Sequence, residues 1–292
     1  MRKVVIILVL LWACYPVWAE REVSKRVDAS ATGAVEISVV SGDVEVIGWE
    51  RSEIEVTGRV GPGVREVRVE RFGDRVEIEA EIRSSKGRRS SSVELVIKVP
   101  VGSRLDLSTV SAFASVNGVD GGVQAGTVSG GLEVRGAPER VQLETVSGTI
   151  EATVDSNNVD IDTVSGQIKL RGDIGGQVRA SAVSGRLDLD LGAVDYLSVE
   201  AVTGSIRASA DLSPRGTMRL ASHSGEVEIR LPRSISARIS ASAFSGSIDN
   251  DLGPAAKSER HGPRKTLDFT LGDGEGRVEL ETFSGSIEIL QR

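Results

Sequence analysis

Any chemistry in this chain would have to come from very few side-chain types. Histidine occurs twice, at His223 and His261, and cysteine once, at Cys14. None of these residues has metal-site spacing, and zinc is ordinarily held by several nitrogen or sulfur ligands. His223 occupies a position that is apolar elsewhere in the chain, which predicts a packed corner residue. His261 lies in a polar loop with Lys257, Arg260 and Arg264 and reads as solvated. Serine is abundant, but a serine nucleophile needs a base within hydrogen-bond reach, and no G-x-S-x-G elbow occurs.

Carboxylates are the richer candidates. Asp160, Asp162, Asp188 and Asp190 alternate along outward faces and could stack into an acidic stripe that holds Ca²⁺ through oxygen ligands. The calcium nonapeptide G-G-x-G-x-D is absent, and Arg179 and Arg186 are placed to neutralise the stripe, so a solvated face is the preferred reading. Asp273-Gly274-Glu275-Gly276 reads as a turn, because the twelve-residue EF-hand ligand pattern is missing. Glycosidase chemistry needs two carboxylates at a fixed separation, and no such pair stands out from the outward Asp and Glu. The basic run Lys86-Gly87-Arg88-Arg89 reads as an exposed loop, with contact to anionic lipid or lipopolysaccharide as its rival. No catalytic, cofactor-binding or metal-binding residue is assigned, and a non-enzymatic protein without a cofactor is expected.

The elements that would position any site follow from a repeat. Thr127-Val128-Ser129-Gly130 returns at Thr145–Gly148, Thr163–Gly166 and Ala182–Gly185. Looser copies stand at Ala201–Gly204, Ser222–Gly225, Ala243–Gly246 and Thr282–Gly285. Thr109-Val110-Ser111-Ala112 opens the series, and Val39-Val40-Ser41-Gly42 is an outlying copy. From Ser111 the hydroxyl residues are 18, 18, 18, 19, 19, 21, 21 and 39 residues apart, the last gap being enlarged by the loop from Gly253 to Lys265. A fixed period near 20 is the signature of a repeat architecture.

Each repeat reads as two strands. Val141, Leu143 and Thr145 alternate with Gln142 and Glu144 before the motif, and Ile150 and Ala152 alternate with Thr149 and Glu151 after it. The motif is the corner between them. The small residue three before glycine marks a narrowing interior, and glycine supplies turn freedom. About eighteen antiparallel strands would exceed the roughly ten that open sheets tolerate. A parallel stack with rungs about 4.8 Å apart avoids that problem. The expected fold is therefore all-β: a single-domain parallel β-solenoid with repeats of 18–21 residues over 105–292. Residues 20–104 are expected to form an N-terminal β cap with an early rung at Ser41-Gly42, and Gly73-Asp74 to join two of its strands as a tight turn.

Residues 1–19 read as a signal peptide and leave the fold. Met1-Arg2-Lys3 is positive, Val4 to Leu11 is apolar, and Val17-Trp18-Ala19 offers a cleavage site. Leu11-Trp12-Ala13-Cys14 also resembles a lipoprotein signal, in which Cys14 would carry lipid. Without Arg2 and Lys3 the 35 basic residues fall to 33 against 42 acidic ones, a formal charge of −9. That balance argues against a nucleic-acid partner, since phosphate neutralisation needs a basic face. The aromatic content of 3% suits a thin aliphatic core.

The repeated V-S-G units, ending in Gly276 to Ile289, resemble a bacterial β-strand-repeat family of unknown function whose members are labelled candidate adhesins. The resemblance implies an exported β-solenoid and supplies no catalytic residue. The expected role is that of a non-enzymatic structural or interaction protein of the cell envelope, periplasmic or at the surface, adhesin-like. Its expected partner is a protein or another envelope component. Two alternatives are an accessory to envelope-stress signalling and a polysaccharide-active β-helix enzyme. The strand Ser286–Leu290, read as the last rung, is expected to leave an open edge for self-association, sensitive to charge at Ile287 or Ile289.

Overall fold

The computed structural model describes residues 21–82, 92–258 and 262–292. The expected targeting segment 1–19 with Cys14, the run Lys86-Gly87-Arg88-Arg89 and His261 lie outside the described residues. Strands alone organise the described chain. In order they are β1 (Arg21–Asp28), β2 (Ala34–Trp49), β3 (Glu53–Val60), β4 (Val64–Phe72), β5 (Arg75–Ile82) and β6 (Val93–Pro100). The rungs follow as β7 (Arg104–Asn117), β8 (Val123–Gly136), β9 (Val141–Val154), β10 (Asn158–Gly172) and β11 (Gln177–Ser224), the last running through several turns of the coil. Last come β12 (Val227–Leu231), β13 (Ala237–Asn250), β14 (Lys257–Ser258), β15 (Lys265–Leu271) and β16 (Gly276–Gln291).

The expected β-solenoid architecture is what forms: one long, mostly parallel sheet that coils in register with the repeat. Val141, Val159 and Val178 pair in sequence across β9, β10 and β11, as do Ser147, Ser165 and Ser184 at the corner. The earlier copy obeys the same rule, with β2 parallel to β7 and Ser41 opposite Ser111. The two strands expected per repeat are one bent strand in each of β7 to β10, because the pairing register continues through the corner. Gly148 opposite Gly166 is an example.

The corner glycines are required by approach. A Cβ on Gly166 would run into the carbonyl oxygen of Gly148 in the preceding rung, and the same holds at Gly148 against Gly130 and at Gly185 against Gly166. Inward aliphatic side chains fill the coil: Val141, Leu143, Ile150, Ala152 and Val154 in one rung, all buried. The return turns add Val119, Pro138, Ser156, Ile174 and Val194 to the interior. Burying an aliphatic side chain of this size contributes about 1.5–3 kcal/mol, and the repeat multiplies it.

The position three before glycine is inward and buried, as the narrowing expectation requires. Thr109, Thr127, Thr145 and Thr163 fill it with side-chain oxygens that lack a hydrogen-bond partner among the described residues. An unpaired buried hydroxyl costs about 1–3 kcal/mol, and Ala182 and Ala201 show that the site accepts an apolar group. Thr145→Val is therefore expected to raise stability by about 1 kcal/mol in denaturant titration. A loss of stability would show that the hydroxyl has a partner.

Beyond β2 the two faces of the coil part. β5 and then β4 extend the first half of β2, while β6, β3 and β1 extend the second. β4 and β5 meet at Gly73, whose φ of 65° only glycine adopts freely. The two extensions converge where the Arg21 guanidinium donates to Arg65 O at 3.0 Å and Lys25 Nζ pairs with Glu66 at 3.0 Å.

The far end overturns the expectation for the last strand. β16 is not an edge: it lies between the β11–β12 segment on one side and β13 on the other, parallel to both. Ile287 pairs with Val227 and with Ile248. After β13, β14 pairs with β15, β15 runs antiparallel to β13, and the chain then arches over the start of β13 to enter as β16. Ser236 holds that arch. Its Oγ accepts the N–H of Asp273 at 3.1 Å, and its carbonyl accepts the N–H of Gly276 at 2.9 Å. Asp273–Gly276 is thus the turn expected of it. At this end the outer side of β13 beyond Ala243 and the outer side of β15 beyond Thr266 have no paired strand among the described residues.

Candidate functional site

The alternation that sends Leu143 and Thr145 inward sends Gln142, Glu144 and Val146 outward. The valine of every T-V-S-G corner therefore faces solvent. Val110, Val128, Val146, Val164, Val183 and Val202 are 46–50% exposed, one per rung. The row continues through His223, Phe283 and Phe244, in that spatial order because β16 is inserted before β13. The His223 and Phe283 rings stack at 5.0 Å and 2°, and Phe283 and Phe244 at 4.9 Å and 7°. His223 is therefore a corner residue, as expected, but an exposed one. Nine residues at about 4.8 Å per rung make an apolar ridge about 38 Å long.

Two positions earlier along each strand a second outward row runs beside the ridge. It carries Glu144, Asp162 and Glu200, all exposed, with Asp106 and Asp160 one step further back. Between the rows lie two shallow depressions of about 560 and 730 Å³, which share Ser181 and Val183 and so form one groove. At the far end of the same row Glu281 pairs with Arg219 at 3.4 Å, and Arg264 lines the larger depression, whereas the side-chain hydrogen-bond donors to the other five carboxylates are neutral. Gln142 donates to Glu144 at 3.1 Å and Ser181 to Asp162, and among the described residues no cation lies within ion-pair distance of the five.

Burial raises the pKa of Asp160 above the usual carboxylate value, with the negative charges of Asp162 and Glu144 adding to it and Arg179 opposing it. The sign for stability follows. A folded-state pKa above the unfolded one means that the folded chain holds the proton more tightly, so this group costs stability at neutral pH and the cost fades as pH falls through its raised pKa. Asp160→Asn is expected to raise Tm at pH 7, with the gain shrinking in acid. A gain that is constant from pH 7 to pH 4 would show another cause.

The other outward face is different. Lys169 pairs with Glu151 at 2.6 Å, and Arg207 pairs with Glu228 at 3.2 Å and with Glu226 at 3.4 Å. Glu226, Glu228 and Glu288 bring carboxylate oxygens within 4.8 Å of one another, but Arg207 and Arg230 already neutralise the buried Glu228. The four aspartates considered for Ca²⁺ do not form one stripe. Asp160 and Asp162 lie before the corner, whereas Asp188 and Asp190 lie after it on the other face, where Gln167 donates to Asp188 and Arg292 pairs with Asp190.

The ridge escaped the sequence reading, although its signal was present. Counting period two from Val141 already places Val146 outward, and the same count holds in every copy of the motif.

The family model described as Toastrack DUF4097 matches residues 32–290. None of the curated proteins is a match. Among solved structures, a candidate adhesin from Parabacteroides distasonis ATCC 8503 is 12% identical, with 93% of this chain and 98% of that chain covered and a TM-score of 0.50. A candidate adhesin from Bacteroides fragilis NCTC 9343 is 11% identical over 94% of this chain and 99% of that chain, with a TM-score of 0.42. A candidate lipid-binding protein from Parabacteroides distasonis ATCC 8503 is 12% identical over 92% and 96%, with a TM-score of 0.29. At 12% identity the first likeness is one of fold.

Proposed function

The chain belongs to the Toastrack DUF4097 family, and from that premise we propose that it is an exported, non-enzymatic interaction protein of the bacterial cell envelope, adhesin-like in presenting a rigid side to a partner. The observation that carries this reading is the corner ridge. An isolated exposed valine is ordinary, but an exposed row of eight apolar residues and one histidine over nine rungs is a contiguous patch of the kind that marks an interaction site. The neighbouring outward row varies freely through Ser108, Gly126, Glu144, Asp162 and Ser181. Strand propensity alone would not confine valine to one outward column.

Rung-to-rung pairing makes the ridge straight and pre-ordered, so a partner can bind it without a large ordering cost. Export is supported by the apolar segment before residue 20, and an adhesin role by the name given to the Parabacteroides distasonis structure.

The test is a photo-crosslinking residue placed at Val164, and separately at Glu151 on the other face, in the living host. Adducts of one reproducible composition from Val164 and not from Glu151 are expected. Equal labelling at both sites, or a chain retained in the cytoplasm with residues 1–19 uncleaved, would overturn the reading.

A further inference from the structure

We propose that the groove between the valine ridge and the row Glu144, Asp162 and Glu200 binds a basic amphipathic polypeptide helix laid along the solenoid axis. This names the partner chemistry for the surface in the preceding section and rests on that reading.

The two rows set the chemistry of the ligand. One offers apolar surface. The other, about 7 Å away along the strand, offers Glu144, Asp162 and Glu200 with no cation within pairing distance among the described residues, Arg219 being taken up by Glu281 at the far end, while the opposite face pairs its own acids at Lys169–Glu151 and Arg207–Glu228. A ligand that satisfies both rows must carry cationic and apolar groups side by side over tens of ångströms. An anionic lipid surface is repelled by the acids, and a divalent cation would leave the ridge uncovered.

Spacing narrows the choice. Side chains on one face of a helix recur at about 5–6 Å, close to the rung spacing of about 4.8 Å. Side chains on one face of an extended chain recur at about 6.6–6.8 Å and fall out of step sooner. A helix with an apolar stripe flanked by Lys and Arg thus matches rung after rung, the helix-in-groove mode of peptide recognition. The Asp160 carboxyl, crowded by Asp162 and Glu144, gains a counter-charge in the complex.

The probe is a synthetic eighteen-residue helical Lys/Leu peptide, measured against the full mature chain by fluorescence anisotropy. A scrambled peptide of the same composition and a Glu/Leu peptide serve as comparisons. The ridge variant Val146→Ser/Val164→Ser/Val183→Ser and the acid variant Glu144→Gln/Asp162→Asn/Glu200→Gln are each expected to weaken binding at least tenfold, the acid variant also flattening the salt dependence. These side chains are exposed, and an unchanged Tm verifies each fold, with the single Val164→Ser variant as reserve. The variant Glu133→Gln/Glu151→Gln/Asp188→Asn removes as much charge from the other face and is expected to leave affinity within twofold.

Equal weakening by that last variant would reduce the effect to net charge and overturn the proposal. So would an unaffected ridge variant, equal binding of the scrambled or Glu/Leu peptide, or binding to anionic vesicles in place of the peptide. If Val164 crosslinks in cells while the Lys/Leu peptide fails to bind, the partner chemistry falls and the interaction surface stands. If the peptide binds and Val164 does not crosslink, the site stands in vitro and the cellular role falls.

Discussion

Gly166→Val is expected to destabilise the protein by more than about 3 kcal/mol, with a fall in Tm on the order of 10 °C. The cause is a collision between rungs. A Cβ at 166 would occupy the space of the Gly148 carbonyl oxygen, which is backbone and cannot swing away as a side chain could. Relief requires the two rungs to part locally, which opens pairing on both sides of the corner and exposes Ile150 and Ile168 beneath it. Gly126→Ala is the control. A methyl group added at Gly126 would meet nothing within 4 Å, so this replacement is expected to change stability by less than about 1 kcal/mol. Hydrogen exchange would locate the damage, since neighbouring rungs in a solenoid support one another chiefly through their interfaces. Gly166→Val with a wild-type Tm would mean that the rungs are not held at this spacing.

Much of this fold could be read from the chain because one motif sets three things at once. Its spacing gives the rung length, its glycine the corner, and the alternation around it the inward face. Val141, Leu143 and Ile150 were therefore legible as core, and Ser41 as an early rung. Spatial order at the far end was not legible. Rungs built on interchangeable V-S-G units can stack on one another in more than one order, so sequence order does not dictate which is last. Ser245 and Ser284 both read as corner residues, and only the arch over Ser236 shows that the later one sits inside the earlier.

The candidate site was half legible. The outward direction of Val146 follows from a count, whereas the stacking of Phe283 between His223 and Phe244 depends on the strand order. That Glu144, Asp162 and Glu200 have no cation within ion-pair distance among the described residues depends on what neighbouring rungs bring alongside them. A single repeat does not contain that information.

The position of β16 changes what a charge at Ile287 should do. Were the strand an edge, Ile287→Asp would leave folding intact and suppress association between copies. Instead Ile287 is fully buried, with Val227 and Ile248 in register on either side and Ile289 buried two residues on. An ionised carboxylate there has no counter-charge within the aliphatic interior, and an uncompensated buried charge costs several kcal/mol. The loss is expected to exceed about 3 kcal/mol at any protein concentration. It should centre on the C-terminal rungs, because β16 joins β12 to β13 and its loosening frees both. Intact thermal stability with a lower association state would restore the edge reading. A concentration-independent fall in Tm, with exchange protection lost first in β13 and β16 and retained in β8 and β9, is the outcome the strand order requires. Ile287→Val separates charge from volume: removing one methylene from the same site is expected to cost only about 0.5–1.5 kcal/mol, so most of the aspartate effect must come from burying its charge.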